Sequence, residues 1–404
     1  MESVKKHLVI VCGILYPNPS PTGLCAARYA SLLTDSYDIE YISLSESGKE
    51  EDGIYNGHAV HAISSKRMKW EHRSSGLVKK LIHLAGASQL KFSLMGNMGW
   101  FVDAAYKKLG EINEKNKIDA ILTICSPFQA HMAGVKFKMN HPEVRLCSYT
   151  VDPYASKTRI VPFFRSYHAF VSLERETISK PDCLFLSEEA FNMRQDIYGG
   201  LNNSIALPYL LPDSKNVIGG VFDDDHIHCV YAGRFYKDIR NPEYMLKVFS
   251  SLEDNRVLLH LYSAGCDDII HRYSEMSSRI IVHGYVSQDE LQKKYASCDI
   301  LIGVGNALND FLPSKTYEYL ALRRPVVFFN PKGFENLVLA KYPHSLQVSD
   351  ELSIEESVKR LQEFVSREKG KTITKEELHS LYPKNTSSYI REILINGLNG
   401  KNNE

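Results

Sequence analysis

Short unbroken apolar runs alternate along this chain with longer stretches in which apolar residues recur every three or four positions. The runs have the character of strands buried on both faces, and the stretches that of helices with one apolar face. His7–Gly13, Ile39–Leu44, Ile118–Ile124 and Val144–Thr150 are the first predicted strands, and residues 181–187 and 205–209 complete the set. Leu24-Cys-Ala-Ala-Arg-Tyr-Ala-Ser-Leu-Leu is the helix after the first strand, reached through the proline-rich loop Ile14–Gly23. The rhythm pauses between Pro212 and Asp225, where Gly219-Gly220 and Asp223-Asp224-Asp225 form a polar linker. It restarts with the strands Ile227–Ala232, Val257–Leu261 and Ile280–Val282 and the helix Asp289–Ala296, and beyond Gln347 the pattern is helical. Strand and helix in regular alternation predict an α/β protein with parallel sheets. A chain of 404 residues suffices for two or three cores, and the linker divides them into 1–212, 213–375 and a helical tail, 376–404.

The stretch from Asp299 to Asn330 carries the chemistry. Asp299-Ile-Leu-Ile is a buried strand, and Gly303, Gly305, Asn306, Asn309 and Pro313 make the loop after it. A helix begins at Ser314, a favoured N-cap residue, and Pro325 stops it before the strand Val326–Phe329. The unpaired amides of Lys315, Thr316 and Tyr317 then face the loop with the positive end of the helix dipole behind them, and Lys315 adds a full charge. That is an anion site. Glu318 lies four residues after Ser314 on the same helix edge, where a carboxylate can accept two hydrogen bonds from a vicinal diol. A diphosphate and a ribose would satisfy both groups. Each residue alone also has a plain structural reading: the dipole favours a first-turn glutamate by about 0.3–1 kcal/mol, and a lone lysine is an ordinary solvated charge. The combination after a buried strand and a glycine loop is what points to a nucleotide.

Composition narrows the classes. Apolar content of 44% and charged content of 24% are those of an ordinary globular protein. The balance of 48 basic and 48 acidic residues excludes a surface built wholly for nucleic acid or membrane. The eight cysteines form no CxxC pair and several sit in apolar runs (Cys12, Cys125, Cys229), as buried thiols of a reducing, cytoplasmic compartment do. Lys5-Lys6 and the apolar run after them could mimic a signal peptide, but the run is brief and flows into a loop and helix as a first strand does. No other segment approaches the length of a membrane span. Between Ser64 and Lys108, basic residues interleave with Trp70, Phe92, Trp100 and Phe101. Two readings fit this region: an interfacial helix on anionic lipid, or a helix with a solvated basic face. The three aspartates before Ile227 read as a solvated turn, and His226 with His228 lack a third metal ligand. No GxGxxG follows the first strand, which counts against a dinucleotide oxidoreductase.

Residues 312–327, LPSKTYEYLALRRPVV, resemble the donor-nucleotide segment of glycosyltransferases with the GT-B fold, of the retaining family 4 type. The family's acidic pair falls on Asp310 and Glu318, the second at the ribose, and Pro313, Ser314 and Thr316 fall in the same donor loop and helix start. Arg323 stands where the family commonly ends this helix with glycine. That suggests a different helix exit, since arginine in left-handed geometry costs about 1–2 kcal/mol. Gly233-Arg234 with Lys237 and Arg240 downstream resembles the basic pair that grips the diphosphate, and the planar fork of arginine suits phosphate oxygens. His283-Gly284-Tyr285-Val286 resembles the loop beside the nucleotide base. In the first half, the resemblance places Gly23 at the donor diphosphate, although most relatives have two glycines where this chain has Thr22-Gly23. SPFQAHMAG and TVDPY resemble acceptor-side strand ends and make Ser126, His131 and Asp152 candidates, with the family's later acidic pair reduced to Asp152. A plain turn at Gly23 and a packed histidine at position 131 are the structural alternatives.

The resemblance implies an α/β chain of two Rossmann-like domains facing each other across a cleft (GT-B), with the tail returning to the first. It implies a hexosyltransferase-type enzyme that moves a sugar, with retention, from a nucleoside-diphosphate sugar of UDP or GDP type to a glycan or lipid-linked acceptor. Neither a metal nor another cofactor is expected. The departing diphosphate gathers negative charge, so fixed cations at Arg234, Lys315 and Arg240 or Lys237 serve better than a nucleophile. His131 and Asp152 complete the expected catalytic set. No nucleic-acid partner is expected. Peripheral contact of residues 64–108 with the inner face of an anionic membrane would suit a lipid-linked acceptor in polysaccharide assembly, by analogy. Two rivals stay open: a sugar-nucleotide epimerase on the same scaffold, and a non-catalytic partner subunit.

Overall fold

The apolar runs fold as parallel strands in a computed structural model that describes residues 5–65, 98–151, 153–155, 167–213, 222, 224–284, 286–307 and 315–401. Contacts divide the chain into two units, Met1–Pro208 with Ser387–Glu404, and Tyr209–Thr386.

In the first unit β1 (Lys6–Ile14), α1 (Pro21–Ser31), β2 (Tyr37–Leu44), β3 (Glu51–Tyr55), β4 (His58–Ile63), α2 (Gly99–Lys115) and β5 (Ala120–Cys125) are followed by α3 (Gln129–Asn140), β6 (Arg145–Thr150), α4 (Tyr167–Ile178), β7 (Cys183–Leu186), α5 (Glu188–Met193), α6 (Gln195–Tyr198) and β8 (Ser204–Ala206). The strands make one sheet in the order β3-β4-β2-β1-β5-β6-β7-β8. β1 and β5 lie side by side at its centre, Val9 opposite Ile121, which is why both read as continuous apolar runs. β3 alone is antiparallel to its neighbour. It joins β4 through Asn56 and Gly57, at φ 49° and 83°, the paired left-handed residues of a tight hairpin that the strand pattern passed over. The basic and aromatic region falls mostly on residues 66–97, outside the described residues. Its last part opens α2, where Phe101 is fully buried and Trp100 packs on the same core.

The second unit runs β9 (Ile227–Arg234), α7 (Glu243–Ser250), β10 (Val257–Ala264), α8 (Asp267–Met276), β11 (Ile280–Val282), α9 (Gln288–Ser297), β12 (Ile300–Val304), α10 (Lys315–Ala321), β13 (Val326–Asn330), β14 (Ser345–Ser349), α11 (Ile354–Glu368) and α12 (Lys375–Leu381). Its sheet is wholly parallel, β11-β10-β9-β12-β13-β14. Side chains on β9 alternate between two cores. Ile227, Cys229 and Tyr231 meet Leu246 and Phe249 of α7, whereas Val230 and Ala232 share a core with Tyr295 of α9 and with Tyr317 and Leu320 of α10.

The expected boundaries at 212 and 375 both move. Leu211 donates its amide to Asn385 O at 2.8 Å, and Asn385 Nδ2 donates to Tyr209 O at 2.7 Å. Leu378 and Tyr382 are buried in the second unit's core, so the segment from 376 to 386 belongs there and is not part of the tail. What groups with the first unit is α13 (Ser387–Asn399), which buries Ile390, Leu394 and Leu398. Arg145 Nε donates to Gly397 O at 3.0 Å, and a Cβ on Gly397 would stand 2.4 Å from the Phe185 ring.

The exit from α10 is also a correction. Arg323 does not reroute the chain: it adopts φ 58° itself, the left-handed geometry that glycine takes at such helix ends. Its carbonyl accepts from the amide of Ile373, which holds the turn in place. Arg323→Gly removes roughly 1–2 kcal/mol of strain and gives back about half of that as extra freedom in the unfolded chain. The variant should therefore melt about 2–3 °C higher in a thermal scan. A lower midpoint would mean that the arginine side chain makes contacts worth more than its strain.

Candidate functional site

β9 ends in Ala232-Gly233-Arg234 at the carboxyl edge of the second sheet, the edge where open parallel sheets bind ligands. Lys315, at the start of α10, reaches across to this strand end, where its ammonium donates to Ala232 O. Gly233 is what admits it. A Cβ there would lie 2.9 Å from Lys315 Nζ and 3.2 Å from the Tyr231 hydroxyl, and the residue sits at φ 154°. Arg240 arrives from the other side. Paired backbone hydrogen bonds between Tyr236 and Arg240, 3.2 and 2.8 Å, close the turn after β9 and return the guanidinium over it. Its Nε donates to Asn306 Oδ1 at 3.0 Å, its Nη1 lies 3.5 Å from Arg234 O, and it hydrogen-bonds the Tyr231 phenol.

Two cations thus converge on one strand end, and the environment registers it. Burial pushes the Lys315 ammonium down to about 8; Arg240 pushes the same way and Glu318 opposes. Burial lifts the Tyr231 phenol to about 12 against the pull of Arg240. An anion in this place would relieve the strain on Lys315, because it would restore the charge partner that burial removes.

The other donor-side candidates divide. Arg234 is exposed at the strand end, Lys237 is exposed within the turn, and Glu318 is half-buried in the first turn of α10. Gly284, at φ 71°, has open space where a Cβ would be. His283 follows β11, exposed, with its ring stacked on Tyr262 at 4.5 Å. The Thr316 side chain is fully buried and its hydroxyl accepts from Asn336 Nδ2 at 3.0 Å, so the side chain anchors α10 and only the amide is left for the expected anion contact. Tyr285, Asp310, Pro313 and Ser314 lie outside the described residues, and with them the expected N-cap of α10.

In the first unit the acceptor-side candidates fare differently. Asp152 lies outside the described residues. His131 is a correction. It is completely buried on α3, with Nδ1 2.7 Å from Thr123 Oγ1 and Nε2 3.2 Å from Thr150 Oγ1, while Thr123 continues to Ser148 at 2.7 Å. Burial pushes its pKa down to about 3, so the ring is a neutral crosslink between helix and sheet. Gly23 lies inside α1, not in the loop before it, and donates its amide to the N-cap hydroxyl of Ser20. A Cβ on it would stand 2.0 Å from Ile14 O, so packing of α1 on the end of β1 already demands glycine.

Sequence reasoning named Asn306 only as a loop residue and missed Tyr231 and Asn336: Asn306 and Tyr231 hold Arg240 at the cationic strand end, and Asn336 anchors Thr316. Tyr231 was discoverable, since the period-two alternation of β9 puts it on the same face as Gly233. A hollow of about 560 Å³ lies at the other end of α10, bordered by Leu211, Arg323 and Ile373, away from the two cations. Among the described residues no helix is long and apolar enough to cross a membrane, and no three His, Cys, Asp or Glu side chains are grouped to hold a metal ion.

Residues 226–363 match the family model described as "Glycosyl transferases group 1". The matched residues lie within the second unit. No curated protein matches the chain. Solved structures do. The lipopolysaccharide outer core galactosyltransferase WaaB in its apo form aligns over 98% of this chain and 100% of its own, with TM-score 0.58 and 12% identity. An alpha,alpha-trehalose 6-phosphate synthase from Burkholderia multivorans aligns over 98% and 99%, with TM-score 0.62 and 11% identity. A putative UDP-N-acetylglucosamine 2-epimerase from Listeria monocytogenes aligns over 99% and 98%, with TM-score 0.58 and 9% identity. At such identities the likeness is one of fold, two Rossmann-like domains of the GT-B type. Together with the domain match it supports a GT-B glycosyltransferase.

Two measurements follow from this geometry. The Lys315 ammonium should lose its proton as pH rises through about 8, so affinity for UDP should fall between pH 7 and pH 8.5, below the range in which the uracil imide ionises, and stay flat in Lys315→Arg. Calorimetric titration at four pH values checks this, and a flat wild-type profile would separate Lys315 from the anion. His131→Ala should lower the unfolding midpoint, at a cost of about 2–4 kcal/mol for the cavity and the orphaned hydroxyls, while nucleotide affinity stays at the wild-type value.

Proposed function

We propose that this protein transfers a hexosyl group from a nucleoside-diphosphate sugar of UDP or GDP type to a glycan or lipid-linked acceptor, with retention. The observation that carries the reading is the Lys315 ammonium seated on Ala232 O beside side-chain-free Gly233, with the Arg240 guanidinium at the same strand end. The pair lies within the segment that matches the glycosyltransferase model. In this reading the diphosphate lies across the end of β9, with Arg234 at its exposed side and the ribose hydroxyls at Glu318. As the bond to the sugar breaks, negative charge grows on the β-phosphate, and fixed cations in a partly desolvated place stabilise it most where it is greatest. The departing phosphate then helps to take the acceptor's proton on the same face. Arginine and lysine do here what a divalent ion does in other transferases. Polysaccharide assembly at the inner face of an anionic membrane, reached through residues 64–108, is the setting that fits a lipid-linked acceptor.

Lys315→Ala and Arg240→Ala should each lower the transfer rate tenfold or more, since a charge-assisted hydrogen bond is worth about 1.5–3 kcal/mol. Wild-type should keep its activity in EDTA. Turnover unaffected by either substitution would sink the assignment. The fold is shared equally by an epimerase, so one further assay separates the readings: isomerisation of a free nucleotide sugar without acceptor would replace transfer by epimerisation.

A further inference from the structure

The second unit holds a hydrogen-bonded line of imidazoles that no part of the diphosphate site uses. It crosses the sheet diagonally on the face that carries α9 and α10. His228 stands near the start of β9, His260 lies opposite Val230 in the middle of β10, and His283 follows β11, two residues beyond the partner of His260. Asp224 Oδ1 is 2.9 Å from His228 Nε2, His228 Nδ1 is 2.9 Å from His260 Nε2, and His260 Nδ1 is 2.9 Å from His283 Nε2. Phe222 stacks over His228 at 4.2 Å and leans on His260 at 4.6 Å, shielding the middle of the line, and Tyr262 backs His283. His228 and His260 are buried, while Asp224 and His283 are open to solvent at the two ends.

The direction of this line is fixed by its first member. Hydrogen bonds from the His226 amide and from His228 hold the Asp224 carboxyl well below the usual carboxylate range, so it is ionised and can only accept. His228 must then donate through Nε2, and as a neutral ring it has only Nδ1 left to accept from His260. The same step repeats at His260. His283 therefore carries its proton on Nε2 and presents a bare Nδ1, an acceptor, at the carboxyl edge. Burial pushes His260 down to about 3, and burial with the nearby Lys294 of α9 lowers His283, so these two rings stay neutral at ordinary pH. In the sheet order His283 lies two strands from Gly233, roughly 10 Å at the usual strand spacing. That is the reach of a ribose and base from a diphosphate.

We propose that Asp224, His228 and His260 are positioning residues that hold His283 as the acceptor for a ring N–H of the nucleobase, the imide or lactam donor of uracil or guanine. This rests on the nucleotide reading given above. The ring proton donates to His283 Nδ1, and the chain of imidazoles prevents the tautomer that would present a donor instead. A protonated His283 would lose the acceptor; the charged and titratable groups around the line are Asp224, His226, His228, His260, Tyr262 and Lys294.

The test is calorimetric titration of the full chain with UDP, GDP and inorganic pyrophosphate, and with whichever nucleotide binds more tightly methylated at its ring nitrogen. Methylation should weaken binding about tenfold in the wild type. His283→Phe, which keeps the stack on Tyr262, should remove that difference, and His283→Gln, which restores an acceptor, should recover part of it. Asp224→Ala frees the tautomer and should reduce the difference at least twofold, with pyrophosphate affinity unchanged. A methyl effect of equal size in His283→Phe would mark a steric clash and overturn the inference, as would equal binding of the two forms by the wild type. Pyrophosphate binding in either case would leave the diphosphate site standing. Failure of pyrophosphate and every nucleotide to bind would overturn both.

Discussion

An ammonium ion withdrawn from water is the constraint on which the second unit's carboxyl edge depends. Lys315 is placed where desolvation costs its charge dearly, and among the described residues its partners are the carbonyl Ala232 O and, at a distance, Glu318. A buried charge survives where geometry is good and the remaining donors find partners. Here Nζ has three donors, and a second cation, Arg240, raises the cost of keeping it charged. A lysine whose charge burial disfavours, set beside a second cation, is the kind of group that marks a candidate binding site. It also explains Gly233 as a steric matter. The strand end has no room for both a side chain at 233 and the lysine, and the lysine occupies it.

The sheet organises the rest from its middle strand. β9 lies between β10 and β12, so what its residues face is decided by parity. Odd positions from Ile227 to Tyr231 feed the core under α7 and α8, and even positions the core under α9 and α10. The even face carries His228 at its base and Ala232, whose carbonyl receives Lys315, near its top. One strand therefore sets the start of the imidazole line and the seat of the ammonium, and fixes their separation by its own rise of about 3.3 Å per residue.

Much of this was legible in the sequence, and what escaped has physical reasons. Continuous apolar runs such as Ile300 to Val304 predict strands because a parallel sheet covered on both faces tolerates little else. Gly233 and Lys315 were visible as types, but their mutual exclusion of a side chain is a contact between residues 82 positions apart in sequence, and no local pattern carries it. Arg323 misled because its type argues against left-handed geometry, while the register of α10 and the Ile373 amide impose it. The hairpin at Asn56-Gly57 was readable from its turn, yet its strands are half-exposed and lack the apolar density that marked the others. Asp224 looked like a solvated turn because a charge in a run of aspartates usually is one. Its partner His228 was in view, but the line onward to His260 and His283 exists only once three strands are laid side by side.

The two histidine networks show why residue type alone could not settle function. His131 and His260 are both buried, both pushed down to about 3, and both hydrogen-bonded through each ring nitrogen. His131 ends on threonine hydroxyls, which donate or accept as needed and so impose no direction, and its network closes inside the first unit's core. His260 stands between His228, itself bonded to a carboxylate that can only accept, and an imidazole that reaches solvent, so polarity entering at Asp224 is delivered at His283. Equal burial and equal bonding thus give a crosslink in one case and a directed contact in the other. The difference lies in the chemistry of the group at the end of each line.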